Sequence, residues 1–267
     1  MRIVTITWAR NEEDILESFI RHHARMVDKM VIILHCCEDT SYDIALRLQR
    51  EGITLDIRES NASYHAQGEA LTALMHEHAD ADWIVPLDAD EFLCGAQELR
   101  SILEQAPTDT VFALPWKTYV PTPADDCNEK DIRRRMCYRR GEEPDQYYKV
   151  LVPGALASQS ILPLGSHTLL NRFTGAAWPV TRHDALWLAH FPIRSAQQLR
   201  RKIVQGWEAH CRNPYRTPEQ NIHWKALYER CCDPSPIDTK ELQSIAQGYA
   251  TRKNSVPGLV AECLPLL

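Results

Sequence analysis

What most constrains the fold of this chain is the alternation, through its first 120 residues, of short aliphatic runs with amphipathic stretches of helical period. "RIVTITW" is followed by residues 11 to 27, in which Ile15, Phe19, His23 and Val27 recur every fourth position, the spacing of one helix face. Asn11 is placed to cap that helix, with Glu12, Glu13 and Asp14 in a first turn whose dipole favours acids. "KMVIILHCC" then reads as a buried strand, "TSYDIALRLQREG" as a helix closed by Gly52, and "ITLDIRES" as a third strand. A helix over 65–78, a strand over 82–88, the helix "AQELRSILEQAP" and the strand "TVFALPWKTYV" continue the pattern. Strands that are apolar without alternation, each followed by a helix, predict an α/β fold with a doubly wound, mostly parallel sheet covered by helices on both faces.

The rhythm breaks after residue 120. "DDCNEKDIRRRMCYRRGEEPD" reads as a long exposed excursion, either a lid or a disordered segment. "YYKVLVP", "HTLLNRF" and "LWLAHFPI" look like short strands, and Ser195 with Gln198 forms a capping box opening a helix over 196–211, with Leu199, Ile203 and Trp207 facing inward. From about 217 the chain is helical with Pro-rich joints. The expected division is residues 1–120 and 121–212 as two halves of one domain, with 213–267 as a helical C-terminal extension.

A net charge of −6 argues against a nucleic-acid binder, which needs a basic excess to neutralise phosphates. The nine cysteines lack C-x-x-C spacing, and the adjacent pairs Cys36-Cys37 and Cys231-Cys232 suit neither a disulfide framework nor a zinc site. Reduced thiols and a cytoplasmic protein are expected. No apolar run approaches the ~18 residues of a membrane span.

The sharpest chemical signal is "ADWIVPLDADEFL", residues 81 to 93. "WIVPL" reads as a buried strand, so Asp88, Asp90 and Glu91 fall at its C-terminal end, where open α/β sheets bind ligands. A D-x-D there offers two carboxylates to one divalent cation; the plainer alternative is a polar turn with Asp90 capping the next segment. His190, in "LWLAHFPIRS", ends a later strand and would add an imidazole suited to an Mn2+-like ion, unless it is a core histidine beside Phe191.

Taken together, "TWARNEEDILESFIRHHARMVDKMVIIL", "ADWIVPLDADEFL" and "LAHFPIRSAQQL" resemble bacterial family 2-like glycosyltransferases of the GT-A fold, over most of the first 210 residues. The resemblance implies a nucleotide-sugar donor across the C-terminal edge of the sheet, Mn2+ or Mg2+ held by Asp88, Asp90 and His190, and an inverting transfer to a glycan or lipid-linked glycan of a cell-surface polysaccharide. Carried over position by position, it assigns donor contacts to Thr7, Arg10, Glu12, Asp39, Arg58, Gln67, Asp88 and Lys149. His35, Cys36 and Cys37 stand where the family has an acid and small residues, which leaves the nucleobase open; Asp39 has an N-cap role as its alternative. Trp116 and His167 are the expected acceptor contacts, with Tyr119 and Trp178 as further stacking candidates. Asp184 is the expected catalytic base, with Asp145 and Glu143 as alternatives.

Two rival functions follow from the same residues. A nucleotidyltransferase would need a Gly-rich phosphate loop after the first strand, and "TWARNEED" has no glycine. A catalytically silent binding module would not need the D-x-D and the histidine. Arg194, Arg200, Arg201 and Lys202, together with Arg133 to Arg135, Arg139 and Arg140, form a candidate surface for peripheral contact with an anionic membrane, the alternative being a solvated mixed surface.

Overall fold

The computed structural model describes residues 1–251 and 256–264. The first half alternates as expected: β1 (Ile3–Ala9), α1 (Leu16–His23), β2 (Lys29–His35), α2 (Ser41–Arg50), β3 (Leu55–Ser60), α3 (Gln67–Glu77) and β4 (Trp83–Asp88). There follow β5 (Glu91–Cys94), α4 (Ala96–Gln105), β6 (Val111–Thr118), α5 (Ile132–Arg135), β7 (Tyr138–Arg140), β8 (Tyr148–Pro153) and α6 (Gly154–Ala157). The paired strands β9 (Ser160–Ile161) and β10 (Leu170–Asn171), then the separate β11 (Val180–Thr181) and β12 (Trp187–His190), lead to α7 (Ala196–Cys211), α8 (Ile222–Cys232), α9 (Thr239–Gly248) and β13 (Leu259–Ala261).

The main sheet runs β3-β2-β1-β4-β8-β6-β12-β5, with β11 beside β6. β3, β2, β1 and β4 are parallel; β8 is antiparallel to β4 and β6; β12 is parallel to β6 and antiparallel to β5. This is the mixed, mostly parallel α/β sheet that the alternation predicts. β1 is buried along its whole length because helices cover both faces, so each of its residues meets a packed layer. One layer joins Phe19, Leu16 and Leu48 to Phe92 and Leu93; the other joins Val4, Ile6 and Ile84 to Leu71, Leu74 and Met75 of α3. Burying one such side chain contributes roughly 1.5–3 kcal/mol, which is why short strands suffice. A third, smaller core holds α7 and α9 to Val120 and Ile193 through Leu199, Ile203, Leu242 and Ala246.

Four expectations are corrected. The first helix starts at Leu16 and not after Asn11. Asn11 has φ 56, and its Oδ1 accepts from the Glu38 N–H at 2.7 Å, so its amide ties two loops together instead of capping a helix. The charged stretch after residue 120 is not a free excursion: Ile132 and Met136 are fully buried, Asp131 caps the short α5, and β7 pairs with β13. The cysteines are not all thiols, because Cys137 and Cys263 are disulfide-bonded beside that β7–β13 pair. Their separation of 126 residues hides the pairing from any reading of spacing. Of "HTLLNRF", only Leu170 and Asn171 enter a strand.

Candidate functional site

The parallel register sets Trp8 beside Asp88, so β1 and β4 end together. β2 and β4 flank β1 on opposite sides, and the chain crosses over between β3 and β4. That is the switch point at which doubly wound sheets open a crevice. Beyond Asp88 the chain turns through Ala89 and Asp90 into β5, whose first residue, Glu91, is paired with His190 at the end of β12. His190 thus arrives over Asp90 from the antiparallel neighbour. A cleft of about 690 Å³ opens here, floored by Trp8, Asp88, Asp90, Trp116 and His190 and roofed by α7, the start of α8 and Tyr249. The C-terminal extension is therefore part of the site's wall. α7 and α8 approach closely at Gly206, where a Cβ would meet the Trp224 ring at 3.0 Å.

Each of the two aspartates is held by a lysine. Lys149 Nζ, on a wholly buried side chain, donates to Asp88 at 2.7 Å and lies 3.4 Å from Glu91. Gln67 Nε2 donates to the other Asp88 oxygen at 2.5 Å. Burial opposes the charge on Lys149, but Asp88 and Glu91 carry its basicity above the ordinary value. Burial also pushes the Glu91 carboxyl well above the carboxylate range, against the pull of Lys149. Glu91 accepts the Asp88 N–H at 2.9 Å and so fixes the turn.

Asp90 receives Lys202 Nζ on Oδ2 at 2.5 Å and faces His190 Nε2 from Oδ1 at 3.9 Å. Burial works against its ionisation, yet Lys202, His190 and Arg194 hold it well below the usual range. Burial drops His190 to about 3 although Asp90 pulls the other way, so its imidazole is neutral. The ring is stacked on Trp116 with centroids 4.0 Å apart, and its buried Nδ1 has no hydrogen-bond partner among the described residues. Behind them the fully buried Arg194 donates to Asp14 at 2.8 Å, to Glu12 and to the Phe191 carbonyl, and stands 4.0 Å from Asp90.

Along the β1 edge, Trp8 stacks on His35 at 4.5 Å and meets His65 edge-on at 6.1 Å; Arg10 lines the same region, with no hydrogen-bond partner for Nε among the described residues. On the opposite wall His167 donates from Nδ1 to the Tyr148 carbonyl at 2.8 Å, with Trp116 and Tyr147 near its ring.

Of the residues expected from the sequence, Arg10, Glu12, Gln67, Asp88, Asp90, Trp116, His167 and His190 line this cleft, and Lys149 reaches it through Asp88. Others do not. Thr7 is buried inside β1. Arg58 is bound to Asp56 and Glu77. Asp39 accepts from the Ser41 and Glu13 N–H groups at the head of α2, the capping alternative. Asp184 is exposed in the loop that enters β12, whereas His190 is that strand's last residue; the strand separates Asp184 from the cleft, of which it is no part. Asp145 does not line the cleft, and Glu143 accepts from Thr118 and Arg140. Tyr119 is buried against Phe191 and Trp178 packs on a core layer, so neither is a free platform.

Most of the basic residues offered for a membrane surface are engaged within the protein, while Arg134 is exposed. Arg194 is wholly internal, Arg201 binds the Asn11 carbonyl and Glu13, and Arg200 donates to the carbonyls of Cys231, Asp233 and Ser235. Arg133 binds Asp131, Arg139 binds Glu262, and Arg140 is buried against Glu143. No described helix is long and apolar enough to cross a membrane. Lys202 is the cleft residue most easily missed from the sequence. Its signal was there: Gln198, Lys202 and Gln205 follow i, i+4, i+7, a polar stripe on a helix whose inward face is Leu199 and Ile203, and all three line the cleft.

The residues fit a divalent cation in part. Ligand atoms 3.9 Å apart, as in Asp90 and His190, can touch one ion at distances of about 2.0–2.6 Å, and the ionised carboxylate and neutral imidazole are the required forms. Asp88 stands in the same cleft with both oxygens engaged. Among the described residues, Asp56, Glu77 and His78 bring ligand atoms within 4.8 Å of one another, but Arg58 pairs with both acids there.

No protein-family model matches the chain, and no curated protein does. Among solved structures it is similar to TarS of S. aureus, at TM-score 0.45 and 11% identity, over 86% of this chain and 43% of that one. The chain therefore spans less than half the length of that protein. It is similar also to the mannosyltransferase PcManGT from Pyrobaculum calidifontis, solved with GDP-Man and Mn2+, at TM-score 0.46 and 15% identity over 85% of this chain and 69% of that one. A third is glucosyl-3-phosphoglycerate synthase from Mycobacterium tuberculosis, solved with Mn2+, uridine diphosphate and phosphoglyceric acid, at TM-score 0.32 and 17% identity over 44% of this chain and 43% of that one.

Proposed function

We propose that the chain is a glycosyltransferase of GT-A type that moves a sugar from a nucleotide-sugar donor to a glycan or lipid-linked glycan hydroxyl, with inversion. The observation that carries this reading is the meeting of Asp90 and His190, one ionised and one neutral, at the switch point of the sheet inside a roofed cleft. These two would hold Mn2+ or Mg2+, which when bound neutralises the diphosphate as it leaves the sugar. Lys149 and Gln67 keep Asp88 oriented beside them. Arg10 supplies a guanidinium for the nucleoside end beside Trp8, and Trp116, Tyr147 and His167 form the wall on the acceptor side. The roof of α7 and α8 shields part of the cleft from water, which would otherwise compete with the acceptor hydroxyl. Transfer breaks the bond from the anomeric carbon to the diphosphate oxygen and forms one to the acceptor oxygen, whose proton is released.

A thermal-shift panel tests the reading: UDP, GDP and their sugars, each with Mn2+ or with chelator. A ligand that binds only the native state raises the melting temperature. A nucleotide-dependent rise that disappears with chelator is expected. Absence of any rise across the panel would rule the donor site out.

A further inference from the structure

The roof helix brings a cation of its own to the position assigned to the metal. Lys202 Nζ donates to Asp90 Oδ2 at 2.5 Å and to the Pro192 carbonyl at 3.2 Å. Its surroundings differ from those of Lys149. The Lys149 side chain has no exposure and is wedged between Asp88 and Glu91, so it cannot leave. Lys202 keeps 19% of its side chain exposed, enters from the cleft face of α7, and lies 5.9 Å from the centre of the Tyr249 ring. That distance is within cation–π range, so a second seat is at hand after a small rotation of a flexible stem. Asp90 would not be left bare by the move, because Arg194 remains 4.0 Å away.

We infer that Lys202 is a built-in competitor of the divalent cation for Asp90. The ammonium ion and the metal repel one another across one carboxylate, so the metal binds weakly while Lys202 is seated there. An anionic diphosphate in the cleft gives Lys202 another partner and frees Asp90. Metal and donor then promote one another's binding by the same factor, as linkage requires. The inference rests on the metal-dependent reading of the cleft given above.

Titration of the full chain with Mn2+ in the absence of nucleotide, following free Mn2+ by electron paramagnetic resonance, tests it. Wild type, Lys202→Met and Lys202→Arg are compared, with Asp90→Asn as the blank. Lys202→Met is expected to bind Mn2+ roughly ten-fold more tightly than wild type, within the 5–150-fold span of ordinary site coupling, and Lys202→Arg to stay at wild-type affinity or below. In a second arm, the gain in Mn2+ affinity on adding UDP shrinks in Lys202→Met. If Lys202→Met melts too low to titrate, Lys202→Gln, which keeps a donor for Asp90, carries the same comparison. Measurable Mn2+ binding with equal affinity in wild type and the neutral variants overturns this inference alone. Mn2+ binding in none of them overturns it together with the metal-dependent reading.

Discussion

Lys149 reaches Asp88 at 2.7 Å from a side chain with no exposure at all, so a strand from the second half of the chain holds the first acid of the D-x-D in place. Removing one partner of a buried pair leaves the other charge without compensation. Lys149→Met is therefore expected to destabilise the fold by about 3–5 kcal/mol, with Asp88→Asn restoring part of the loss by removing the charge left without its partner. Urea denaturation of the single and double variants gives the comparison. A loss below about 1 kcal/mol in the single variant would show that Asp88 does not depend on this lysine.

Asp90→Asn is expected to keep the fold, since Arg194 still has Asp14 and Glu12, but to lose the Mn2+-dependent thermal shift with nucleotide diphosphates. A neutral amide is a poor ligand for a hard cation. Circular dichroism beside the thermal-shift panel separates misfolding from loss of the site.

Acid should weaken the contact between α1 and β5 through two buried histidines. His22 donates from Nε2 to the Leu93 carbonyl at 2.7 Å, and His23 accepts the Leu93 N–H on Nε2 at 3.1 Å while its Nδ1 donates to the Phe19 carbonyl. His23 thus needs its neutral form to keep β5 on α1. Burial lowers His22 to about 4 and His23 well below its ordinary value. Depressed folded values mean that the unfolded chain binds more protons, so the stabilisation is complete above about 6.5 and is lost progressively as the pH falls toward 4. His22 alone contributes up to about 3 kcal/mol across that window. Chemical denaturation at pH 7 and pH 5 measures it, and His22→Gln should flatten the slope.

Gly206→Val should narrow the cleft more than it weakens the fold. Even a single Cβ at this position would press on the Trp224 ring, and α8 has to yield. Overpacking of this kind costs about 1–3 kcal/mol, while the displaced ring moves on the cleft wall. Nucleotide affinity by calorimetry is expected to drop at least several-fold, with a smaller change in melting temperature.

The strands β1, β2 and β4 were legible because burial on both faces writes an unbroken aliphatic run, and the acids of Asp88 and Asp90 were legible because they interrupt it. His190 was legible as a polar residue closing such a run. Other features depend on where distant segments come together. Lys202 meets Asp90 across 112 residues, and only the path of α7 over the cleft decides that its charge points inward instead of toward solvent. Asp184 illustrates the reverse: it is near His190 in sequence, but a strand runs between them and sends them to opposite ends. Asn11 has the residue type of a helix cap, yet the left-handed turn that uses it forms only once the β2 loop supplies its N–H donors. The arginines of "DIRRRMCYRR" look like a solvated basic face until acidic and carbonyl partners fold around Arg133, Arg135, Arg139 and Arg140, while Arg134 stays exposed.

The cross-link between Cys137 and Cys263 also sets how this molecule answers to mechanical load. Pulled from residue 1 and residue 264, the oxidised chain cannot pay out the 126-residue span between the bonded cysteines, so roughly 420 Å of contour length stays hidden. That hidden span contains His190, Lys202 and the whole roof of the cleft, whereas Asp88 and Asp90 lie on the extensible side. Under tension the sheet would have to part wherever β8 and β12, inside the closed loop, pair with β4, β6 and β5 outside it, while the roof travels with that loop.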